Sequence, residues 1–102
     1  QTLPMLSLGA KGVISVASNI VPQVTASLCS SALSGDFFTA RALHEAYAEL
    51  FETLFIEVNP IPVKTAMQML GWDSGRLRLP LCPMAEENAA KLQKCMEDLQ
   101  LL

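Results

Sequence analysis

Gly12-Val13-Ile14-Ser15-Val16 is the only stretch of this sequence that is typical of a β-strand. It is short, β-branched and nearly all apolar, as strands buried on both faces of a parallel sheet are. A helical pattern and a tight turn precede it, which is the order found in half of a βαβ repeat. A strand needs partners for its backbone N–H and C=O groups, and no second strand is evident. The sequence therefore predicts that this chain is part of a larger α/β protein.

The composition also indicates a missing partner. Hydrophobic residues make up 51% of the 102 residues and charged residues only 17%, with a mean hydropathy of +0.34. Soluble domains carry roughly 25% charged residues, so a chain this short has more apolar surface than it can bury within itself. Because the sequence starts at Gln1 rather than Met, we expect a truncated start and an apolar surface that faces a partner or the rest of a parent chain.

Charge and cysteine content exclude several classes of protein. The net charge of −3 and the pI of about 4.9 give no basic surface for nucleic acid. No charge occurs between Gly12 and Gly35, but polar residues and Pro22 interrupt this run, so we predict no membrane span. No signal peptide is visible. Three widely spaced cysteines and one histidine predict reduced thiols in a cytoplasmic protein, with neither a disulfide framework nor a metal site.

Hydrophobic periodicity and stop signals predict five helices joined by loops. The expected helices are Thr2–Leu8, Val21–Leu33, Phe37–Glu57, Pro62–Leu70 and Glu86–Leu101, and Trp72–Pro83 is an expected loop. The glycines expected to end helices are Gly9, Gly35 and Gly71. Asp36 is expected to cap the third helix, and Ser18 or Asn19 the second. Ala85 precedes the last helix and offers no capping side chain.

Three motifs occur in order along the chain. They are Gly12–Asn19 (GVISVASN), Glu57–Lys64 (EVNPIPVK) and Leu77–Pro83 (LRLPLCP). Together they resemble the C-terminal third of the dihydrodipicolinate synthase family, and the resemblance covers nearly the whole chain. The wider family consists of pyruvate-dependent class I aldolases and includes N-acetylneuraminate lyase. The combination of motifs favours the synthase branch.

The resemblance implies the fold class, which is an α/β protein represented here by the C-terminal fragment of a (β/α)8 TIM barrel. Residues 1–36 are then the last part of the barrel, with helix 7, strand 8 and helix 8. Residues 37–102 form a three-helix C-terminal region. Strand 8 corresponds to Gly12–Val16, so these residues contain a single strand and are mostly α-helical.

The resemblance also implies an activity. Family members are cytoplasmic, usually tetrameric lyases that join pyruvate to aspartate semialdehyde through a lysine Schiff base in lysine biosynthesis, without a cofactor. Their lysine, tyrosine and threonine lie on earlier strands, which places these groups upstream of Gln1. We therefore expect no catalytic residue and no activity in this chain alone. Ile14 matches the position that lies against bound pyruvate, so it is the one expected substrate-binding residue.

The other chemically capable residues are interpreted as structural. The lysines that we do not expect to form a Schiff base are Lys11, Lys64, Lys91 and Lys94. Lys11 precedes the strand, whereas barrel active sites lie at the carboxyl ends of strands. Lys64 is expected to pair with Glu57 or to cap a carbonyl. Lys91 and Lys94 lie on an amphipathic helix. Ser15 and Ser18 have no expected base, so acyl transfer is rejected.

Two alternatives stay open at this point. A sibling aldolase such as N-acetylneuraminate lyase would keep the fold and change the substrate, because the residues that select the substrate lie upstream. A free-standing helical interaction module would instead use its apolar face for a partner. Such a module would fold cooperatively by itself, whereas a fragment would aggregate or form a loose globule.

Overall fold

The computed structural model describes all residues, 1–102, and consists of helices joined by loops. The helices are α1 Thr2–Ser7, a 3₁₀ helix Ala17–Asn19, α2 Pro22–Leu33, α3 Phe37–Thr53, α4 Ile61–Met69 and α5 Glu86–Asp98. The chain forms two compact units, residues 1–48 and residues 49–102. The expectation of a mostly α-helical chain is confirmed.

No β-strand is present, so the strand predicted for Gly12–Val16 is not formed in this structure. A strand is defined by backbone hydrogen bonds to a neighbouring strand, and this chain provides no such neighbour. The last residue of the run, Val16, already has helical backbone angles, φ −65° and ψ −43°. Gly12, Val13 and Ile14 are all exposed. The prediction was wrong for this chain alone because an apolar β-branched pattern indicates a strand without supplying its partner.

The first unit packs α2 against α1 and against the 3₁₀ helix. Its buried apolar residues are Leu6, Ala17, Ile20, Val21, Leu28, Ala32 and Ala40. Pro22 begins α2, where its missing N–H costs nothing because the first N–H groups of a helix have no partner within it. The N-cap residue is Val21, without a side-chain cap, so the expectation that Ser18 or Asn19 caps α2 was wrong. Both side chains bond backward along the chain, to the carbonyls of Ser15 and Val16.

Glycine ends three of the helices, as predicted. Gly9, Gly35 and Gly71 have positive φ values of 104°, 89° and 77°. After α1, the N–H of Gly9 donates to the Leu6 carbonyl and the N–H of Ala10 donates to the Met5 carbonyl, both at 3.1 Å. This pair of bonds is the Schellman motif, which satisfies the last carbonyls of the helix. Glycine suits the turn because it adopts positive φ without a Cβ clash.

Asp36 caps α3, as predicted. Its Oδ1 atom accepts the backbone N–H of Thr39 at 3.1 Å, and its Oδ2 atom accepts the Thr39 hydroxyl at 2.6 Å. The hydroxyl bond first, and the backbone bond second, lower the pKa of Asp36 below its ordinary value of 3.8 because both favour the ionised carboxylate. One turn further on, Arg41 and Glu45 form an exposed ion pair, with Nε 2.7 Å from Oε1.

The carboxyl end of α3 lies at Thr53, four residues before the predicted end at Glu57. Beyond it the chain continues in turns, in which Phe55 N–H donates to the Glu52 carbonyl at 3.0 Å and Ile56 N–H donates to Thr53 at 3.2 Å. These bonds span three residues rather than four, which tightens and ends the last turn. The apolar periodicity continues past this point, so periodicity alone placed the end too late.

The second unit has its core where α4 and α5 pack together. The buried residues of this unit are Leu50, Leu54, Ile61, Pro62, Val63, Ala66, Leu92, Cys95 and Met96. α5 ends at Asp98, three residues earlier than predicted, because Gln100 turns the chain with a φ of 59°. The N–H groups of Gln100 and Leu101 then donate to the Glu97 and Met96 carbonyls, at 2.9 Å each.

The cysteines form no disulfide bond. Cys29, Cys82 and Cys95 are free thiols, and they are half-buried, exposed and buried respectively. Burial, followed by the negative charge of Glu49, raises the pKa of the Cys95 thiol. A buried neutral thiol of this kind is a packing residue rather than a nucleophile. No helix in the structure combines the length and the apolar character needed to span a membrane.

Replacing Leu92 with alanine tests the core of the second unit. Leu92 has 0% exposure, so its truncation leaves a cavity in the core of the second unit. We expect the free energy of unfolding, measured by urea denaturation, to fall by about 2–5 kcal/mol. The exposed neighbour Lys91 provides the matched control, and Lys91→Ala is expected to stay within about 0.5 kcal/mol. Equal losses from the two variants would contradict this assignment of the core.

Candidate functional site

Ile14, the predicted pyruvate contact, lies in the connection between α1 and the 3₁₀ helix. Its side chain is 105% exposed, more than any other large hydrophobic residue in the chain, and Val13 beside it is 41% exposed. An apolar side chain in this position packs against nothing in the chain itself. Its neighbours, whether protein or ligand, therefore come from outside these residues. The contact with pyruvate stays a prediction.

A hydrogen-bonded turn directly follows Ile14. Ser15 Oγ accepts the N–H of Ser18 at 3.2 Å, and the Ser15 carbonyl accepts the Ser18 hydroxyl at 2.6 Å. The Val16 carbonyl accepts both the side-chain Nδ2 of Asn19 at 3.0 Å and its backbone N–H at 3.1 Å. Local side-chain bonds of this type fix a turn without help from a sheet. The direction in which the chain leaves Ile14 is therefore set by its own sequence.

The residues after this turn are anchored in the first unit. Ala17, Ile20 and Val21 are buried. The N–H groups of Ile20 and Val21 both donate to the Ala17 carbonyl at 2.9 Å. The candidate site thus has one fixed end, at the 3₁₀ helix, and one exposed end, at Gly12 to Ile14. This is the arrangement expected of a strand whose neighbours belong to another part of a protein.

The serines of this turn have structural roles. Ser18 Oγ donates its proton to a backbone carbonyl, whereas a catalytic hydroxyl must give its proton to a general base. The rejection of acyl transfer stays a prediction. The structure contains no group of three or more His, Cys, Asp or Glu side chains that could hold a metal ion.

None of the lysines lies in the desolvated pocket that a Schiff-base lysine needs. Lys11, Lys91 and Lys94 are exposed. Lys64 is half-buried and its ammonium group is paired, with Nζ 3.2 Å from Asp73 Oδ2. That the Schiff-base lysine lies outside these residues stays a prediction.

The expected pairing of Lys64 with Glu57 was wrong, because Asp73 takes that place. Asp73 follows the end of α4, whereas Lys64 lies in its first half, so the pair spans the helix. The hydrogen bond from Lys64, followed by the backbone N–H of Gly75, lowers the pKa of Asp73 below its ordinary value of 3.8.

Glu57 has a role that the sequence analysis missed. Its Oε2 atom accepts the N–H of Ala85 at 3.0 Å and the side-chain Nδ2 of Asn88 at 2.8 Å. Ala85 is the N-cap residue of α5 and provides no side-chain cap. A carboxylate here satisfies a free N–H and complements the positive end of the helix dipole. The sequence indicated that a cap was missing, but local patterns do not identify which distant residue replaces it.

Comparison with known proteins points to one family. The family described as dihydrodipicolinate synthetase matches residues 1–99 of this chain. Over 101 residues the chain is 52% identical to a 4-hydroxy-tetrahydrodipicolinate synthase of Methanococcus maripaludis, covering 99% of this chain and 35% of the relative. Over 102 residues it is 53% identical to the enzyme of that name from Persephonella marina, with the same coverage of 99% and 35%. The chain therefore spans about a third of the length of these relatives.

Solved structures give the same result for the fold. The crystal structure of dihydrodipicolinate synthase from Aquifex aeolicus matches with a TM-score of 0.96 and 52% identity, over 98% of this chain and 34% of that one. The chloride-inhibited enzyme from Acinetobacter baumannii, complexed with pyruvate, matches with a TM-score of 0.94 and 37% identity, over 98% and 34%. The predicted resemblance and fold class are thereby confirmed, since these residues correspond to the C-terminal part of such a barrel.

Hydrogen exchange at Ser18 tests the turn that follows Ile14. In Ser15→Ala the Ser18 amide loses its acceptor, so its exchange is expected to accelerate roughly five- to tenfold, measured by NMR. Ser15→Thr keeps a hydroxyl acceptor and is expected to exchange like the parent protein. The Asn19 amide, which is bonded to the Val16 carbonyl, serves as the internal reference. Unchanged exchange at Ser18 in Ser15→Ala would show that the side-chain bond does not hold the turn.

Proposed function

This chain belongs to the dihydrodipicolinate synthetase family, and we propose that the protein containing it condenses pyruvate with aspartate semialdehyde in lysine biosynthesis. The match over residues 1–99 carries the proposal, together with about 50% identity to relatives that bear the synthase name. The pyruvate bound in the Acinetobacter baumannii relative supports the choice of the first substrate.

The proposed chemistry starts from a lysine outside these residues. Its neutral amine attacks the keto carbon of pyruvate, water leaves, and a Schiff base forms. The methyl carbon next to the imine then gives up a proton to form an enamine, and this carbon adds to the aldehyde carbon of the second substrate, whose oxygen takes up a proton. Attack on the imine carbon by water, or by the amino group of the second substrate, releases the product and frees the lysine. The exposed or ion-paired lysines of this chain do not meet the requirement for a desolvated amine. The proposal therefore assigns this chain the last strand and flanking helices of the barrel, with no activity of its own.

Ile14 is the residue of this chain that we assign to the substrate. It stands on the segment that corresponds to the eighth strand, and barrel active sites lie at the carboxyl ends of strands. Its side chain is free of contacts within the chain, and the turn at Ser15 and Ser18 fixes the position of the segment that carries it. An isoleucine there offers an apolar surface to pyruvate and keeps water away from the imine.

The remaining proposals concern the whole protein. Residues 1–36 complete the barrel, residues 37–102 form its C-terminal helical region, and the parent is a cytoplasmic tetramer without a cofactor. N-acetylneuraminate lyase activity is the alternative within the wider family, and a helical interaction module is the alternative outside it. The synthase name borne by relatives at about 50% identity favours the first reading over both.

Borohydride trapping with pyruvate tests the proposed reaction. Borohydride reduces a Schiff base to a stable amine, so mass spectrometry detects the modified lysine. We expect the longer protein, including the region upstream of Gln1, to be labelled at one lysine there. We expect the present chain alone to remain unlabelled. Labelling of Lys11, Lys64, Lys91 or Lys94 would refute the claim of inactivity, and an unlabelled longer protein would refute the Schiff-base mechanism.

Substitution of Ile14 in the longer protein tests the substrate contact. Ile14→Ala removes three carbons from the proposed contact, so kcat/KM for pyruvate is expected to fall about tenfold or more. Val13→Ala is the matched control, because adjacent residues of a strand point to opposite faces. Steady-state kinetics with varied pyruvate separates the two variants. Equal effects, or no effect of Ile14→Ala, would place pyruvate elsewhere.

A further inference from the structure

The connection between α4 and α5 contains a segment that lacks regular secondary structure, residues 74–84, which we name the strap. Its internal bonds are few. The N–H of Arg76 donates to Ser74 Oγ at 3.3 Å, and the N–H of Leu81 donates to the Arg78 carbonyl at 3.0 Å. Arg76, Arg78 and Leu79 are exposed, with Leu79 at 92%. A segment of this kind holds one conformation only where its ends are tied to the folded part of the protein.

The first end of the strap is tied at Asp73. The Oδ2 atom of this carboxylate is 3.2 Å from Lys64 Nζ and also accepts the N–H of Gly75 at 3.2 Å. Lys64 is half-buried in α4, a helix in which Val63 and Ala66 are buried. The charged group thus links the start of the strap to a helix that is itself fixed in the core.

The second end of the strap is tied at Ala85. The Oε2 atom of Glu57 accepts the N–H of this residue at 3.0 Å and the side-chain amide of Asn88 at 2.8 Å. One carboxylate oxygen therefore holds both Ala85, the residue that directly follows the strap, and the first turn of α5. Hydrogen bonds to an ionised acceptor are the stronger class of such bonds.

Both ties start from the same short motif. Glu57 and Lys64 are the first and last residues of EVNPIPVK, one of the three motifs that carry the family resemblance. Within it Ile61, Pro62 and Val63 are buried, so the motif is held firmly in the second unit. Proline further restricts its backbone. The two anchoring side chains therefore keep a fixed separation, and the strap runs between them.

We propose that Glu57 and Lys64 are paired positioning residues that hold the strap at both ends and so keep Arg76, Arg78 and Leu79 in one arrangement. The proposal concerns the fold of the second unit and does not rest on the catalytic function proposed above. It assigns a joint role to the EVNPIPVK and LRLPLCP motifs, because the first supplies the anchors and the second lies within the strap.

Cleavage by an arginine-specific protease tests the proposal in the folded protein. The chain contains three arginines, Arg76 and Arg78 in the strap and Arg41 in α3, so one digestion reports the strap and a helical reference together. When opening is fast compared with cleavage, the rate follows the population of the open strap. Mass spectrometry of the fragments gives the rate at each site. In a longer protein, sites outside these residues are followed separately.

Removal of either anchoring interaction, Lys64 with Asp73 or Glu57 with Ala85, is expected to speed cleavage at the strap only. For Glu57→Ala we expect about a tenfold increase at Arg76 and Arg78, since two charge-assisted bonds are lost. For Lys64→Met we expect about a threefold increase, because that ion pair is partly solvated. The double variant is expected to exceed either single one. Glu45→Gln, which breaks a solvent-exposed ion pair in α3, is the matched control and should leave the strap rates unchanged.

The conservative variant Glu57→Gln distinguishes the loss of the hydrogen bonds that hold the strap from a general loss of stability. Its amide oxygen still accepts both bonds, so the strap rates are expected to lie between those of the parent and Glu57→Ala. A rate equal to that of Glu57→Ala would overturn the tie, as would unchanged strap rates in both Glu57→Ala and Lys64→Met. Equal acceleration at Arg41 would also overturn it, because the whole fold would then be opening. If Glu57→Ala does not fold by circular dichroism, Asn88→Ala takes its place, with a smaller expected increase.

Discussion

The need of a β-strand for a neighbour is the constraint on which the rest of this structure depends. The GVISV run at Gly12–Val16 has the composition of a fully buried strand, yet no residue of this chain pairs with it. Its backbone groups and the side chains of Val13 and Ile14 are left at the surface. Relatives three times as long provide the explanation, since the chain covers about 35% of their length. The apolar composition and the exposed strand sequence are therefore two consequences of one missing sheet.

The helices could be predicted because their signals are local. Gly9, Gly35 and Gly71 end helices through bonds that reach only a few residues back, and Asp36 starts one through a bond to Thr39. Such interactions are complete within one or two turns of chain. They form in this chain regardless of what surrounds it. The turn at Ser15 to Asn19 also depends on local bonds, but it was not predicted, because the apolar residues before it indicated a strand and Ser18 or Asn19 was expected to cap α2.

The contacts between residues distant in sequence could not be predicted. They explain why the pairing predicted for Lys64 was wrong and why the role of Glu57 was not predicted. Glu57 accepts a hydrogen bond from Ala85, and Lys64 forms an ion pair with Asp73, whereas the sequence led us to expect that Glu57 and Lys64 pair with each other. Charge and spacing within a motif say which residues can pair, whereas the fold decides which of them meet. The early end of α3 was also missed. At Phe55 and Ile56 the backbone N–H groups form turn hydrogen bonds instead of helical ones, although the apolar pattern of the sequence continues past these residues. Phe55 and Val58, which continue the apolar pattern, are exposed, so the pattern records neither burial nor the point where the helix stops.

The candidate site combines a locally determined part with a part that only other residues can complete. The turn after Ile14 is fixed by its own side chains and by the buried Ala17 and Ile20, so this end of the segment is in place without a sheet. The face that carries Ile14 has no neighbour in the chain. A substrate pocket on this side needs walls from adjacent strands, because a single exposed isoleucine encloses nothing. Residue chemistry within the chain therefore could not identify the reaction. The assignment came from ordered motifs, whose similarity reflects a whole barrel rather than the third of it described by these residues.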